Sequence, residues 1–290
     1  MATSLTGRYV QIEVFPFSFA EVLRFQKISL SDRQVLLPAG MGNILSHLNN
    51  FLLRGGLPEI VLNPSIADHY LSALFDSVLL KDLMRRFRIR QPRQIYDLSN
   101  YLLANFTIPY SFNQLKTGLN FNSVATVQKF TGYLTETYLF VILTRYAVKV
   151  KTQQKAPGKF YVIDNGFIKS RFFRVSPNYG SQLENAVFTE LLRRHYKPGL
   201  DLFYYRTRND REVDFLCRQG HVVEQLIQVC YDISPPKTLK REIDALVEAS
   251  GEVSCKNLIM ITWDKKEELE QKESIIKLIP AWKWLTGLAD

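Results

Sequence analysis

The sequence predicts a multidomain α/β chain with a helical N-terminal segment, a three-helix unit closed by a hairpin, and a terminal domain of order αβββαβ. Three observations predict it. Residues 30–91 carry apolar side chains at helical spacing. Residues 94–168 hold three amphipathic stretches followed by two apolar runs. From Ser181 onward, one helical stretch gives way to short strands and then to a second helix and strand.

The elements follow in order. Val10, Ile12 and Val14 alternate with Gln11 and Glu13, as in a strand, and Phe15-Pro16-Phe17-Ser18 ends it. Ser18 is placed to cap a helix that opens at Phe19, with Glu21 at the capping-box position. Arg33 to Leu37 and Met41 to Leu53 have helical spacing, with a break expected at Pro38 and Gly40. Gly55-Gly56-Leu57-Pro58 reads as a turn that re-aims the chain. Ala67 to Leu83 forms an amphipathic helix with Tyr70, Leu71, Leu74, Phe75, Val78 and Leu79 on one stripe.

In the next unit, Ile95, Leu98, Leu102 and Leu103 mark a first helix. Ser111 caps a second, and Ser123 caps a third carrying Val127, Phe130 and Leu134. Strands follow at 140–146 and 159–163, joined by a basic tip at 151–158. Asp164-Asn165-Gly166 has turn chemistry, and residues 169–180 read as a linker. The last domain has a helix at 182–195 and strands at 202–206, 212–217 and 222–231. A helix at 237–249 and an apolar strand at 257–262 complete it. The expected boundaries are 1–25, 26–93, 94–168 and 181–290.

With 290 residues the chain has room for two or three domains. Its 46% hydrophobic and 12% aromatic residues exclude a disordered chain. The longest strongly apolar stretch, Tyr138 to Leu143, falls far short of the roughly 20 residues of a membrane span. No charged-then-apolar leader opens the sequence, so secretion is not expected. The three cysteines, widely spaced, suggest reduced thiols in a cytoplasmic protein, and no Cys or His spacing suggests zinc.

The net charge of +9 is unevenly spread. Residues 81–180 hold 16 lysines and arginines against 4 acids, and the rest of the chain is slightly negative. Such a region either meets a phosphate partner, most simply nucleic acid, or is a solvated basic face. Arg85, Arg86 and Arg88, at the end of the 67–83 helix, are the densest part of it, and arginine's planar fork suits phosphate.

Three resemblances sharpen these readings. The order of three helices and a basic hairpin resembles a winged helix-turn-helix. In DNA-binding members the third helix enters the major groove, which singles out Thr126, Gln128 and Lys129, with Lys151 and Lys155 on the wing. Winged helices also serve as protein-docking modules.

The terminal domain resembles the PD-(D/E)XK nuclease fold. Glu184 stands on its helix, Asp214 on a strand, and Gln228-Val229-Cys230 where the family has an acid, one residue and a lysine. Strand residues two apart share a face, so Gln228 and Cys230 point where that acid and lysine would point. The resemblance implies Glu184 and Asp214 as Mg²⁺ ligands and Glu184, Asp214 and Gln228 as a degenerate catalytic set. A neutral amide is a poor Mg²⁺ ligand and a thiol cannot replace an ammonium group. Lys237 or Lys240 are candidates for a relocated lysine, and Tyr205-Arg206 for a phosphate grip.

Through Phe15-Pro16-Phe17, Gly55-Gly56-Leu57-Pro58-Glu59 and the later motifs, the chain resembles the C-terminal region of a prokaryotic AAA+-type ATPase. In the ATPases it resembles, the nucleotide-binding half is followed by a domain of unknown function. The resemblance makes Arg8 an arginine-finger candidate and an ATPase half or neighbouring subunit a candidate partner. The sequence holds no Gly-x-x-x-x-Gly-Lys-Ser/Thr loop, so ATP is expected only with a separate ATPase half. The leading expectation is a nucleic-acid or partner-binding platform with a non-catalytic nuclease-like domain. The alternatives are a Mg²⁺-dependent DNA nuclease using Glu184 and Asp214, or a protein-interaction module alone. No membrane partner is expected.

Overall fold

Capping fixes the first helix, α1 (Phe19–Phe25). In the computed structural model, which describes residues 12–30, 37–89, 92–171 and 178–288, the Ser18 hydroxyl accepts from the Glu21 amide, and the Glu21 carboxylate accepts from the Ser18 amide at 2.7 Å. The strand expected at 10–14 is not found over its described part. Residues 12–14 are exposed and unpaired, as a lone strand with no sheet to join must be.

Helix α2 (Pro38–Arg54) begins at the proline expected to break it and runs through Gly40. Proline at the first helical position sacrifices no hydrogen bond, which explains the difference. Helix α3 (Pro58–Leu62) follows. Then α4 (Ala67–Ser77), a π-helical stretch (Val78–Leu83) and α5 (Met84–Phe87) form one continuous rod. Leu71, Phe75, Leu79 and Leu83 are its buried stripe.

Helix α6 (Pro92–Ala104) leads through the short strand β1 (Pro109–Tyr110) to α7 (Phe112–Gly118) and α8 (Val124–Thr135). Ser111 and Ser123 cap α7 and α8 as their positions predict. Strands β2 (Phe140–Thr144) and β3 (Gly158–Val162) pair antiparallel, with Phe140 opposite Val162, and β1 adds to the other side of β3. The expected basic tip is a short helix, α9 (Val150–Lys155). Residues 166–171 form a helix, α10 (Gly166–Arg171), so the expected linker begins later than its composition suggests. Arg171 holds α10 to α4 by an ion pair with Asp76 at 3.0 Å and by lying over the Phe75 ring.

Helix α11 (Tyr179–Arg193) precedes strands β4 (Leu202–Arg206), β5 (Glu212–Gln219) and β6 (Val222–Cys230). Helix α12 (Pro236–Val253) and strand β7 (Leu258–Thr262) follow. The expected element order is therefore present. Beyond it lie β8 (Glu267–Gln271), β9 (Ser274–Pro280) and α13 (Ala281–Thr286), which sequence spacing alone did not suggest. The mixed six-stranded sheet has the order β4-β5-β6-β7-β9-β8, with β7 parallel to both β6 and β9. Helix α12 covers one face through Ala245, Leu246 and Ala249. Helix α11 covers the other through Leu183, Val187 and Phe188.

The helical region does not form a single core. Ile44, Leu48, Phe51 and Leu52 of α2, with Phe19 of α1, join the α11 face of the large sheet. From Ile60 onward the helices pack instead on the three-stranded sheet. The Gly55-Gly56 turn sits where the chain passes from one core to the other. Gly55 has φ +77, and a Cβ there would fall 1.6 Å from Asp164 Oδ1. A Cβ on Gly56 would lie 2.1 Å from the Phe17 carbonyl. Asp164, read from the sequence as a turn residue, is buried. Its carboxylate accepts from the amides of Gly56 at 2.7 Å and Gly166 at 2.8 Å. Burial pushes its carboxyl up to about 6, although those amide bonds oppose the shift.

Two outcomes follow. Gly56→Ala forces a methyl group into backbone, with an expected loss of about 3 kcal/mol or more by urea denaturation. An unchanged midpoint contradicts the packing described. Asp164 keeps its proton in the folded state to higher pH than the unfolded carboxyl, near 3.9, does. Its contribution is therefore complete below about pH 4 and is lost as pH rises through about 6, by roughly 2–3 kcal/mol. The stability difference between the native chain and Asp164→Asn should shift toward the variant over that window, and a flat difference speaks against it.

Candidate functional site

Helix α11 meets strand β3 through side chains that bond the strand's backbone beyond the short β1 pairing. Asn178 caps the helix by accepting from the Ser181 amide. One turn on, Asn185 takes both backbone groups of Val162. It accepts from the Val162 amide at 2.8 Å and donates to the Val162 carbonyl at 2.8 Å, and also to Asn165 Oδ1 at 2.9 Å. Asn165 in turn donates to the Gln182 carbonyl. These buried groups satisfy one another.

That contact delivers a lysine from the small sheet into an acid cluster of the large one. Lys159 of β3 is 1% exposed, and its Nζ lies 2.7 Å from Glu212, 3.0 Å from Glu184 and 3.4 Å from Asp214. Tyr161, two residues along the strand, donates its hydroxyl to Glu184 Oε1 at 2.6 Å and stacks on Phe188. Burial alone favours the neutral amine of Lys159. The charges of Glu184, Asp214 and Glu212 outweigh it and hold the pKa above its ordinary value. Burial, and then the charge of Glu184, push Asp214 well above the usual carboxylate range. Burial and the adjacent Glu184 also raise the Tyr161 phenol.

Asp214 enters the cluster because the β5–β6 ladder ends beside it. Phe215 pairs with Ile227, but the Asp214 amide turns to Gln228 Oε1 at 3.3 Å, and Asp214 Oδ2 accepts from the Val229 amide at 2.9 Å. Gln228 donates from Nε2 to Glu242 Oε2 on α12 at 2.8 Å. The expected trio therefore assembles in two steps. Glu184 and Asp214 share Lys159, and Gln228 touches Asp214 while spending its amide donor on Glu242. Cys230 is buried beside them. Burial, with the charge of Glu242 next, pushes its thiol up to about 12, so it is neither an ammonium substitute nor a thiolate.

Lys237 and Lys240 are exposed at the start of α12, and the lysine that meets Glu184 and Asp214 is Lys159. Tyr205 donates to Glu252 at 2.6 Å, and Arg206 pairs with Asp210 at 2.8 Å and Glu212 at 3.6 Å. Both are engaged within the protein. The expectation that Glu184 and Asp214 hold Mg²⁺ meets a poor fit. The Lys159 ammonium already lies between their carboxylates, and no described set of three or more His, Cys, Asp or Glu side chains is arranged to hold a metal ion.

Elsewhere, Arg85, Arg86 and Arg88 are exposed at the end of the α4–α5 rod. The Phe87 ring stacks on Tyr133 of α8 at 3.7 Å, and Lys129 Nζ lies 5.7 Å over Tyr133. Arg86 also pairs with Asp82 at 3.2 Å and approaches Glu136. This stack brings the three arginines and Lys129 to one region of surface. Gln128 is exposed next to Lys129, whereas Thr126 is half-buried and bonded to the Ser123 hydroxyl. Lys151 and Lys155 are exposed on α9. Arg8 lies outside the described residues.

Sequence reasoning missed Lys159, Glu212, Tyr161 and Glu242. Two signals were available. Lys159 immediately precedes the apolar run from Phe160 to Ile163 on the same strand, and Glu212 stands two residues before Asp214.

The chain joins a helical unit with a small sheet to a mixed α/β domain, across an acid cluster that holds an internal lysine. Residues 45–176 match a domain of unknown function (DUF8612), and residues 179–284 match a second (DUF4143). The chain is similar to an uncharacterized protein of Methanocaldococcus jannaschii, 33% identical over 296 residues. That match covers 98% of this chain and 65% of the relative. An uncharacterized protein of Haemophilus influenzae is 27% identical over 238 residues, 80% of this chain and 56% of its own length. The chain thus spans less than two thirds of these relatives. No solved structure matches it significantly. No described helix is long and apolar enough to cross a membrane.

Removing the central cation leaves buried carboxylates uncompensated. Lys159→Met should cost about 3–5 kcal/mol. Asp214→Asn should cost less at pH 7, because its carboxyl is already biased toward the neutral form. Equal losses in chemical denaturation contradict this account of the cluster.

Proposed function

We propose that this chain is a nucleic-acid-binding platform, corresponding to the C-terminal region of a prokaryotic AAA+-type ATPase. In this reading residues 94–168 are a winged helix and residues 181–290 a PD-(D/E)XK nuclease-like scaffold without its catalytic set. The supporting observation is the exposed cluster of Arg85, Arg86, Arg88 and Lys129 around the Phe87–Tyr133 stack. Cations on a helix end beside an α8 surface that exposes Gln128 suit a phosphate backbone more than a particular base sequence. Matches to relatives longer than this chain fit its being one part of a larger ATPase. The nucleotide chemistry then belongs to the other part.

The non-catalytic reading of the terminal domain is supported by Gln228, a neutral amide committed to Glu242, and by a buried Cys230 whose thiol holds its proton. One observation favours a second reading, a metal-dependent nuclease. Glu184 and Asp214 do lie together, and a lysine is within 3.4 Å of both. Cleavage of DNA by the native chain with Mg²⁺ or Mn²⁺, abolished by Asp214→Ala, establishes that reading instead.

For the platform, duplex DNA binding should weaken steeply as salt rises and depend little on sequence. Replacing Arg85, Arg86 and Arg88 together with alanine should flatten the log–log salt dependence by about 2–3 in slope. Fluorescence anisotropy over a salt series measures it. An unchanged slope moves the assignment to protein docking.

A further inference from the structure

The acid cluster carries an inference that goes beyond this reading and is independent of DNA binding. We propose that the Lys159 ammonium is the resident cation of the cluster, standing where an acid set of this kind would otherwise take a divalent metal and keeping that metal out. The geometry has three parts. Glu184 comes from α11, and Glu212 and Asp214 from β5. All three direct carboxylate oxygens at one nitrogen, at 3.0, 2.7 and 3.4 Å. The nitrogen arrives on a different sheet, so the cation is tethered through the backbone of β3 rather than exchanged with solvent. A hard divalent ion bound to the same oxygens would sit against a fixed positive charge.

The groups around the ammonium are those that a tethered cation requires. Tyr161 occupies Glu184 Oε1 by a hydroxyl bond, and the Val229 amide occupies Asp214 Oδ2. Arg206 lies 3.6 Å from the outer oxygen of Glu212. Each carboxylate therefore spends acceptor capacity on protein donors, leaving less for a metal. The Tyr204 ring, 5.6 Å from Nζ, closes the remaining side with a π-face that favours a cation. Asn185 fixes the depth of insertion, because its two bonds to Val162 set the register of β3 against α11.

The consequence is a junction that needs no metal to assemble. In the native chain the lysine supplies the positive charge that a metal would supply, and it joins two sheets as it does so. Loss of its charge should turn the same acids into a divalent-cation site.

The experiment uses the full chain, with Mn²⁺ as the probe. Calorimetric titration and thermal unfolding are run with Mn²⁺ and with EDTA. For the native chain, no saturable heat and no change in Tm are expected. Lys159→Ala should have a lower Tm that Mn²⁺ raises by roughly 3 °C or more. Adding Asp214→Asn to that variant should remove the Mn²⁺ response. If Lys159→Ala does not fold, Lys159→Met keeps the packing of the aliphatic stem and gives the same readout. Saturable Mn²⁺ binding by the native chain that Asp214→Asn removes overturns the proposal. So does the failure of both Lys159 variants to respond to Mn²⁺. Loss of DNA binding in the arginine variant has no bearing on either result.

Discussion

A lysine with almost no solvent exposure must find its counter-charge within the protein, and Lys159 finds it on elements distant in the chain. Its partners lie 25 residues away on α11 and 53 and 55 residues away on β5. Satisfying one ammonium group therefore constrains where the small sheet, the long helix and the large sheet stand relative to one another. Asn185 adds direction to that attraction. A charge pair alone tolerates sliding, whereas an amide bonded to both groups of one peptide unit does not. Asp164 repeats the logic a few residues on, holding the amides of Gly56 and Gly166.

Much of the fold is legible locally, because capping and periodicity are short-range. Ser18, Ser111 and Ser123 each accept from an amide three residues on, and each starts its helix where the sequence places the start. Strands β4 to β6, helix α12 and strand β7 follow from alternation and apolar runs. The errors have local causes too. Pro38 reads as a breaker because proline breaks helix interiors, yet here it opens one. Strand β8 is almost entirely charged or polar, so no apolar pattern announces it. The candidate site is less legible. Glu184 and Asp214 can be found from their order along the chain, but the cation between them comes from another unit and has no local signature. Asp164 and Gly55-Gly56 carry turn chemistry. That each is the other's steric and hydrogen-bond partner is a fact about residues 108 apart.

Glutamine at residue 228 does what a carboxylate there could not. An amide both donates and accepts, so Gln228 can bridge the Asp214 amide to Glu242, whereas a carboxylate there would place two acids side by side. The bridge links β5, β6 and α12. That bridge gives this corner structural continuity. Cys230 behaves similarly, as a small buried group whose thiol donates weakly to the Asp232 carbonyl.

The two edges of the large sheet meet different surroundings. Beside β4, the Tyr146 amide reaches the Tyr204 carbonyl at 2.7 Å, so part of that edge is covered from within the molecule. The other edge, β8, has the sequence Glu267-Glu268-Leu269-Glu270-Gln271. A second copy adding a strand there would bring Glu267, Glu268 and Glu270 toward their own counterparts, with Lys277 of β9 beside Glu268 alone. Like-charge repulsion of that kind opposes fibril-like growth through backbone pairing. The acidic composition of β8 thereby makes this edge a poor template for a further strand.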